Sequence, residues 1–222
     1  GMGTPRENIR LVNIDGTIRV IAPKSGNDYT DRMQTYVTKK TEELSQSPLH
    51  GYILKKNSPT CGMERVRIYD HNDIPQKSGV GIFAAKLKQR FPLLPVEEEG
   101  RLRDNHLREN FIERIFGYYR LQRFLSDNPT PADLVEFHTR NKLTFLSHNQ
   151  EAYREMGRMV ANPGESNFPS LLEQYEKKYM TTLEIRTNAK NHTNVLYHIL
   201  GYFKNHLSPN EKQEMVDIID RY

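Results

Sequence analysis

The sequence contains 222 residues, 36% of them hydrophobic and 27% charged, and its formal net charge is +4. This length suffices for one large domain or two small ones, and the composition predicts a globular protein with real cores under a very polar surface. No apolar stretch approaches the ~20 residues needed to cross a bilayer. The mild positive charge is spread along the chain, so it permits contact with nucleic acid without indicating it. The single cysteine, Cys61, predicts a reducing compartment and therefore the cytoplasm.

Strand and helix signals alternate over the first hundred residues. Two β-branched runs flank Asp15-Gly16, which is a strong hairpin signal, and Thr30 is predicted to cap a helix that ends near Ser45. A buried strand, GYIL, then leads into a polar loop with Cys61, a second strand, RVRIY, and a helix that begins at GVGIF. This order predicts an α/β layer with a partial sheet that is parallel or mixed.

A charged stretch, EEEGRLRDN, ends this pattern, and we interpret its glutamates, Glu97 to Glu99, as a solvated linker. Beyond it, every apolar stripe has helical spacing. Helix starts are predicted at Thr130 and Ser208, each followed by a proline and by an acidic residue three positions later. We therefore predict an α/β domain over residues 1–102 and an all-helical domain of five or six helices over residues 103–222.

The loop around Cys61 is the first candidate site, because ligands of α/β sheets usually bind at the carboxyl ends of the strands. Pro59 stiffens this loop, and Gly62 permits a tight backbone approach. Free N–H groups together with Lys55 or Lys56 would stabilise a thiolate and prepare it as a nucleophile or metal ligand. The alternative is a small side chain in a turn, and one cysteine alone cannot form a thiolate-rich metal site.

The stretch SGVGIF is a second, weaker candidate. Gly79 and Gly81 precede a predicted helix, where backbone N–H groups could face a phosphate or a carbonyl group of a substrate. The alternative is a tight entry from a loop into the helix.

Histidines and basic residues in the helical half form a third candidate. His138 and Lys142 are one helical turn apart and therefore share a face. Together with His148 and Arg154 they could line a basic groove for an anion or nucleic acid. The alternative is a solvated helix face with a capping residue.

Two sets of motifs resemble known families. The first half resembles the thiouracil desulfurase family in the segments MGTPRENIRLV, DRM, GYILKKNSPTCG, RVRIY, GVGIFAAKL and FPLLPVEEEGRL. The second half resembles the YbgA-like helical domain in the segments LRENFIERIFGYYR, LVEFHTRNKLTFLSHNQEAYREMGR and HTNVLYHILGYFKNHLSPNEKQEM. Together these resemblances cover nearly the whole chain.

The desulfurase resemblance implies a [4Fe–4S] cluster held by three cysteines, with one iron open to the sulfur of a thiolated pyrimidine or nucleoside. The implied substrate is of the 2-thiouracil type, and the implied products are uracil and sulfide. Cys61 matches the last of the three ligands in the family's SP(S/T)CG loop. Ser58 matches a position linked with proton transfer or substrate positioning. We expect weaker contacts with the substrate from the neighbouring loop residues Lys55, Asn57 and Thr60.

The family's other two cysteines, and the glutamate of its CPE motif, lie upstream of the point where this sequence starts. We therefore expect these 222 residues alone to hold no cluster and to be inactive, and the full-length protein to be a desulfurase. The alternative is a helical module that binds nucleic acid or a nucleotide, on a vestigial α/β scaffold. A truncated sheet would expose an edge and favour a homodimer.

Overall fold

The computed structural model describes residues 7–161 and 167–221. The chain forms two compact units, which divide between Phe111 and Ile112. The strands are β1 (Arg10–Ile14), β2 (Thr17–Ile21), β3 (Tyr52–Leu54), β4 (Val66–Tyr69), β5 (Pro75–Gly79) and β6 (Val96–Glu98). The helices are α1 (Thr30–Ser45), α2 (Ile82–Arg90), α3 (Asn105–Ser126), α4 (Pro131–His148), α5 (Gln150–Ala161), α6 (Phe168–Glu184), α7 (Ala189–Phe203) and α8 (Pro209–Arg221), with a short 3-10 turn at Arg101–Arg103. The domain boundary predicted near residue 102 lies before this division and stays a prediction.

The first unit contains two small sheets, with strand orders β2-β1-β4-β5 and β3-β6. The pairs β1–β2 and β4–β5 are antiparallel, whereas β1–β4 and β3–β6 are parallel. The predicted fold class, a partial mixed α/β sheet followed by helices, is thus confirmed. The prediction lacked β5, because its first four residues are exposed and carry no apolar alternation.

The first hairpin forms where the sequence predicts it. Asp15 and Gly16 both have positive φ angles, 49° and 81°, as the two-residue turns that match the twist of a hairpin require. Thr30 differs from its prediction, because α1 begins at Thr30 itself and not after it. Its hydroxyl accepts the N–H of Val20 at 2.9 Å and donates to the Asp28 carboxylate at 2.5 Å. Thr30 therefore ties β2 to α1 instead of capping the helix.

The core of the first unit lies where the four-stranded sheet meets α1. Leu11 and Val20 from the first hairpin pack with Met33 of α1 and Val66 of β4. The interpretation of Glu97 to Glu99 as a solvated linker is wrong for its first two residues. Glu97 and Glu98 are 5% and 2% exposed, because they belong to β6, which pairs with β3.

The second unit is built from helices: between Ile112 and Arg221, leaving aside residues 162–166, no strand occurs. Tyr175, Tyr179 and Leu183 form a fully buried stripe on α6. Phe145 of α4 packs edge-on against the ring of Tyr179, with 5.2 Å between the ring centroids. The helical prediction for this half is thus confirmed. In the parts of the chain that the structure describes, no helix is both long enough and apolar enough to cross a membrane.

The predicted helix start at Thr130 is also present, as a complete capping box. The Thr130 hydroxyl accepts the N–H of Asp133, and the Asp133 carboxylate accepts the N–H of Thr130. We expect Thr130→Ala to lower the free energy of unfolding by about 1 kcal/mol, because it leaves a helix N–H without its acceptor. Urea unfolding measures this change. Thr139→Ala is the control, since Thr139 lies exposed on the same helix and alanine favours helix. Equal losses in both variants would contradict the capping role.

Candidate functional site

Cys61 lies half-buried in the loop that follows the carboxyl end of β3. The hydroxyl oxygen of Ser58 accepts the N–H groups of Thr60, at 3.2 Å, and of Cys61, at 3.1 Å. The carbonyl of Ser58 accepts the N–H of Gly62 at 2.8 Å, which closes the turn. A hydroxyl offers two acceptor lone pairs and one donor proton. Because both lone pairs of the Ser58 hydroxyl accept N–H groups of the loop, its proton is the part of the hydroxyl that can be donated to a further partner.

The loop is anchored on the N-terminus of α2. The carbonyl of Thr60 accepts the N–H of Phe83, and the carbonyl of Gly62 accepts the N–H of Gly81, both at 2.8 Å. A Cβ atom on Gly81 would overlap the Thr60 carbonyl, so only glycine permits this approach. The structure thus uses N–H groups at the start of α2 to hold the Cys61 loop. Contact of Gly79 or Gly81 with a substrate stays a prediction.

Two aromatic rings lie next to the loop. Tyr52 of β3 and Phe83 of α2 pack with their ring centroids 5.5 Å apart. Burial raises the pKa of the Tyr52 phenol above its ordinary value, and negative charge on Cys61 adds to this shift. Tyr52 is therefore an electrostatic neighbour of the thiol. Tyr52 is not predictable as a site residue from the sequence, because its place in a predicted strand indicates only packing.

One buried carboxylate of β6 supports the loop, and a second one lies beside it. Oε1 of Glu98 accepts the N–H of Met63 at 2.8 Å. Oε1 of Glu97 accepts the N–H of Glu98 at 2.9 Å and lies 2.7 Å from Nε of Arg101. Carboxylates removed from water need such partners, because desolvation strongly disfavours the charged form. The sequence signal that could have located them is the apolar run LLPV, which continues directly into these glutamates as a strand.

The third glutamate of the run, Glu99, is exposed and binds the start of the loop. Its carboxylate accepts the N–H of Lys56 at 2.8 Å and lies 3.4 Å from Nζ of Lys55. The hydrogen bond from the backbone N–H of Lys56 holds the pKa of Glu99 below its ordinary value. The ammonium group of Lys55 therefore already has the Glu99 carboxylate as its partner. Asn57 is exposed and has a φ of 58°. Their contacts with a substrate stay predictions, as does that of Thr60.

In the helical unit, His138 is a core residue. Its Nδ1 lies 3.2 Å from the hydroxyl of Tyr175. Burial lowers the pKa of the His138 imidazole, and the charge of Lys142 lowers it further, so both favour the neutral form of His138. Lys142 places its ammonium 5.6 Å from the centroid of the Tyr202 ring, and Arg154 is exposed on α5.

His148 is also buried, with 1% of its surface exposed. Its Nδ1 contacts the carbonyl of Ile185, and its Nε2 lies 3.2 Å from Oε2 of Glu113. The contact with His148 holds the pKa of Glu113 below its ordinary value, although burial opposes this shift. Two of the four residues predicted to line a basic groove, His138 and His148, are thus core residues with partners of their own.

Comparison with known proteins gives matches to both halves of the chain. Residues 1–99 match the family described as 2-thiouracil desulfurase, and residues 142–222 match a family described as a protein of unknown function, DUF1722. The protein described as "Uncharacterized protein YbgA" from Escherichia coli (strain K12) is 36% identical over 115 residues. That alignment covers 51% of this chain and 68% of the relative. No solved structure matches the chain.

Proposed function

Since the chain belongs to the YbgA family and its first 99 residues match the 2-thiouracil desulfurase family, we propose that it serves the removal of sulfur from a thiolated pyrimidine such as 2-thiouracil. Both matches confirm the resemblance seen in the sequence. The overall conversion replaces C=S by C=O, consumes one water molecule and releases H₂S, with no net oxidation or reduction. It requires one group that takes the sulfur and another that handles a proton.

The observation that carries the proposal is the shared turn of Ser58 and Cys61. The hydroxyl oxygen of Ser58 accepts the N–H of Cys61 at 3.1 Å, so the two residues are held together at the carboxyl end of β3. Cys61 supplies a soft sulfur ligand, and Ser58 retains one proton that it can donate. This arrangement supports Cys61 as a residue of the sulfur-binding centre and Ser58 as the residue that orients or protonates the substrate.

The [4Fe–4S] cluster that the resemblance implies is held by cysteine thiolates. Cys61, half-buried in an anchored loop, fits the role of one such ligand. The printed sequence contains no second cysteine. Within residues 7–161 and 167–221, no three His, Cys, Asp or Glu side chains converge on a common point that could hold a metal ion. The donor set of these residues by itself does not fit a cluster, so we assign no step of the reaction to one.

The test is the release of uracil from 2-thiouracil by the native gene product, purified without oxygen. We expect Cys61→Ala to abolish uracil release, because the soft ligand that takes the sulfur is lost. Met63→Leu in the same loop is the matched control and should keep uracil release. If the Cys61→Ala protein released uracil at the normal rate, the loop would be structural only. If the unaltered protein released no uracil, the proposed substrate would be wrong.

A further inference from the structure

A cavity of about 440 Å³ opens between α3, α4 and α7 of the helical unit. Its walls include apolar side chains from two helices, Leu143 of α4 and Leu196 of α7. Its polar groups include Glu113 of α3, Ser147 of α4 and His192 of α7. Cavities of about 300–1,000 Å³ with apolar walls and a few convergent polar groups are typical of small-molecule sites.

Two of the polar groups that line this cavity, Ser147 and Glu113, can accept hydrogen bonds. Ser147 donates its hydroxyl proton to the carbonyl of Thr144 at 2.8 Å, so the lone pairs of its oxygen remain for a ligand. Glu113 is an acceptor whenever it is ionised. A ligand that contacts both of these groups therefore presents donors, and Glu113 repels an anion.

Glu113 is held in place by a buried partner. The contact between Nδ1 of His148 and the carbonyl of Ile185 fixes the orientation of the imidazole ring, because Nδ1 must donate its proton there. The other ring nitrogen, Nε2, then lies 3.2 Å from Oε2 of Glu113. The contact with His148 and the nearby charges of His192 and Arg120 lower the pKa of Glu113 and favour its ionised form, although burial opposes this shift. The positive charge of Arg120 disfavours a cationic ligand and the ionised Glu113 disfavours an anionic one, which leaves a neutral ligand.

We propose that this cavity binds a small neutral heterocycle that carries N–H donors on an apolar ring, with Glu113 and Ser147 as the acceptors. Nucleobases are the common natural molecules of this chemical class. The site lies wholly within the helical unit, and the inference does not depend on desulfurase activity. Lys142 and Arg154 have no part in it, since a neutral donor ligand needs no basic groove.

Two matched probes test the proposal on the unaltered chain. Uracil presents two N–H donors, whereas 1,3-dimethyluracil has the same ring with both donors blocked. We expect uracil to bind at least about tenfold more tightly, because a hydrogen bond to a charged acceptor is lost in the dimethyl compound. Calorimetric titration measures the affinities, and NMR shifts of the Leu143 and Leu196 methyl groups locate the bound ring. Benzoate, an anion of similar size, is expected not to bind.

One substitution tests the acceptor directly. Glu113→Gln keeps the shape of the side chain and removes its charge, so uracil should bind about tenfold more weakly. Glu173→Gln, an exposed position on α6, is the control and should bind as the unaltered chain does. Equal binding of uracil and 1,3-dimethyluracil, or unchanged binding in Glu113→Gln, would overturn the proposal, as would no binding of uracil, cytosine or adenine. Should Glu113→Gln fail to fold, as circular dichroism would show, the comparison of the two probes still decides.

Discussion

Ser58→Ala is expected to slow the release of uracil from 2-thiouracil by roughly 10²–10⁴-fold, the loss typical of a missing acid–base group. The reason lies in the hydrogen-bonding capacity of the Ser58 hydroxyl. Its oxygen already accepts the N–H groups of Thr60 and Cys61. Only its proton is left for a substrate. The measurement is kcat for uracil release by the native gene product.

Ser58 also shapes the loop, and a second variant separates the two roles. Ser58→Asp keeps an oxygen that can accept the N–H groups of Thr60 and Cys61, as aspartate does in local turns. An ionised aspartate has no proton to donate. If Ser58 acts through its proton, Ser58→Asp is as slow as Ser58→Ala. Near-normal uracil release by Ser58→Asp would show that Ser58 only holds the turn.

Glu98→Ala is expected to lower the free energy of unfolding by about 1–3 kcal/mol, because it leaves the half-buried N–H of Met63 without its acceptor. The carboxylate of Glu98 is 2% exposed and accepts that N–H at 2.8 Å. Water has little access to this position and cannot easily replace the carboxylate as the acceptor. The Cys61 loop then loses its support from β6, so uracil release should fall as well. Urea unfolding and the desulfurase assay measure the two effects.

Two matched variants define the result for Glu98. Glu98→Gln retains an amide oxygen that can accept the N–H of Met63, so its loss should be clearly smaller than that of Glu98→Ala. Glu99→Ala removes the adjacent carboxylate, which also binds the loop, through the N–H of Lys56. Because Glu99 is exposed, water can replace its carboxylate, and the loss of unfolding free energy should be clearly smaller than that of Glu98→Ala. A Glu98→Ala protein as stable as Glu99→Ala would contradict the buried support.

Features that depend on neighbouring residues were predictable from the sequence. Asp15-Gly16 specifies its hairpin, because only a few residue types adopt two successive positive φ angles. Thr130 with Asp133 specifies a helix start, since both partners of the capping box lie within one turn. Ser58 and Cys61 are likewise three positions apart, so their placement in one turn follows from the local motif. The apolar stripe of α6 that includes Tyr175 was predictable as well, because the helical period of its apolar residues indicates which side of the helix faces the core.

Only the tertiary structure decided which polar side chains are buried and what they bind. Glu98 reaches the N–H of Met63, 35 positions away, because β6 pairs in parallel with β3. His148 meets the carbonyl of Ile185, 37 positions away, because helices distant in the sequence pack together. Local sequence patterns indicate the period of a helix or strand. A run of charged residues has the same sequence whether its side chains face solvent or a buried partner. Burial of a charge is stable only where distant backbone and side-chain groups converge to satisfy it, and that convergence is a property of the fold.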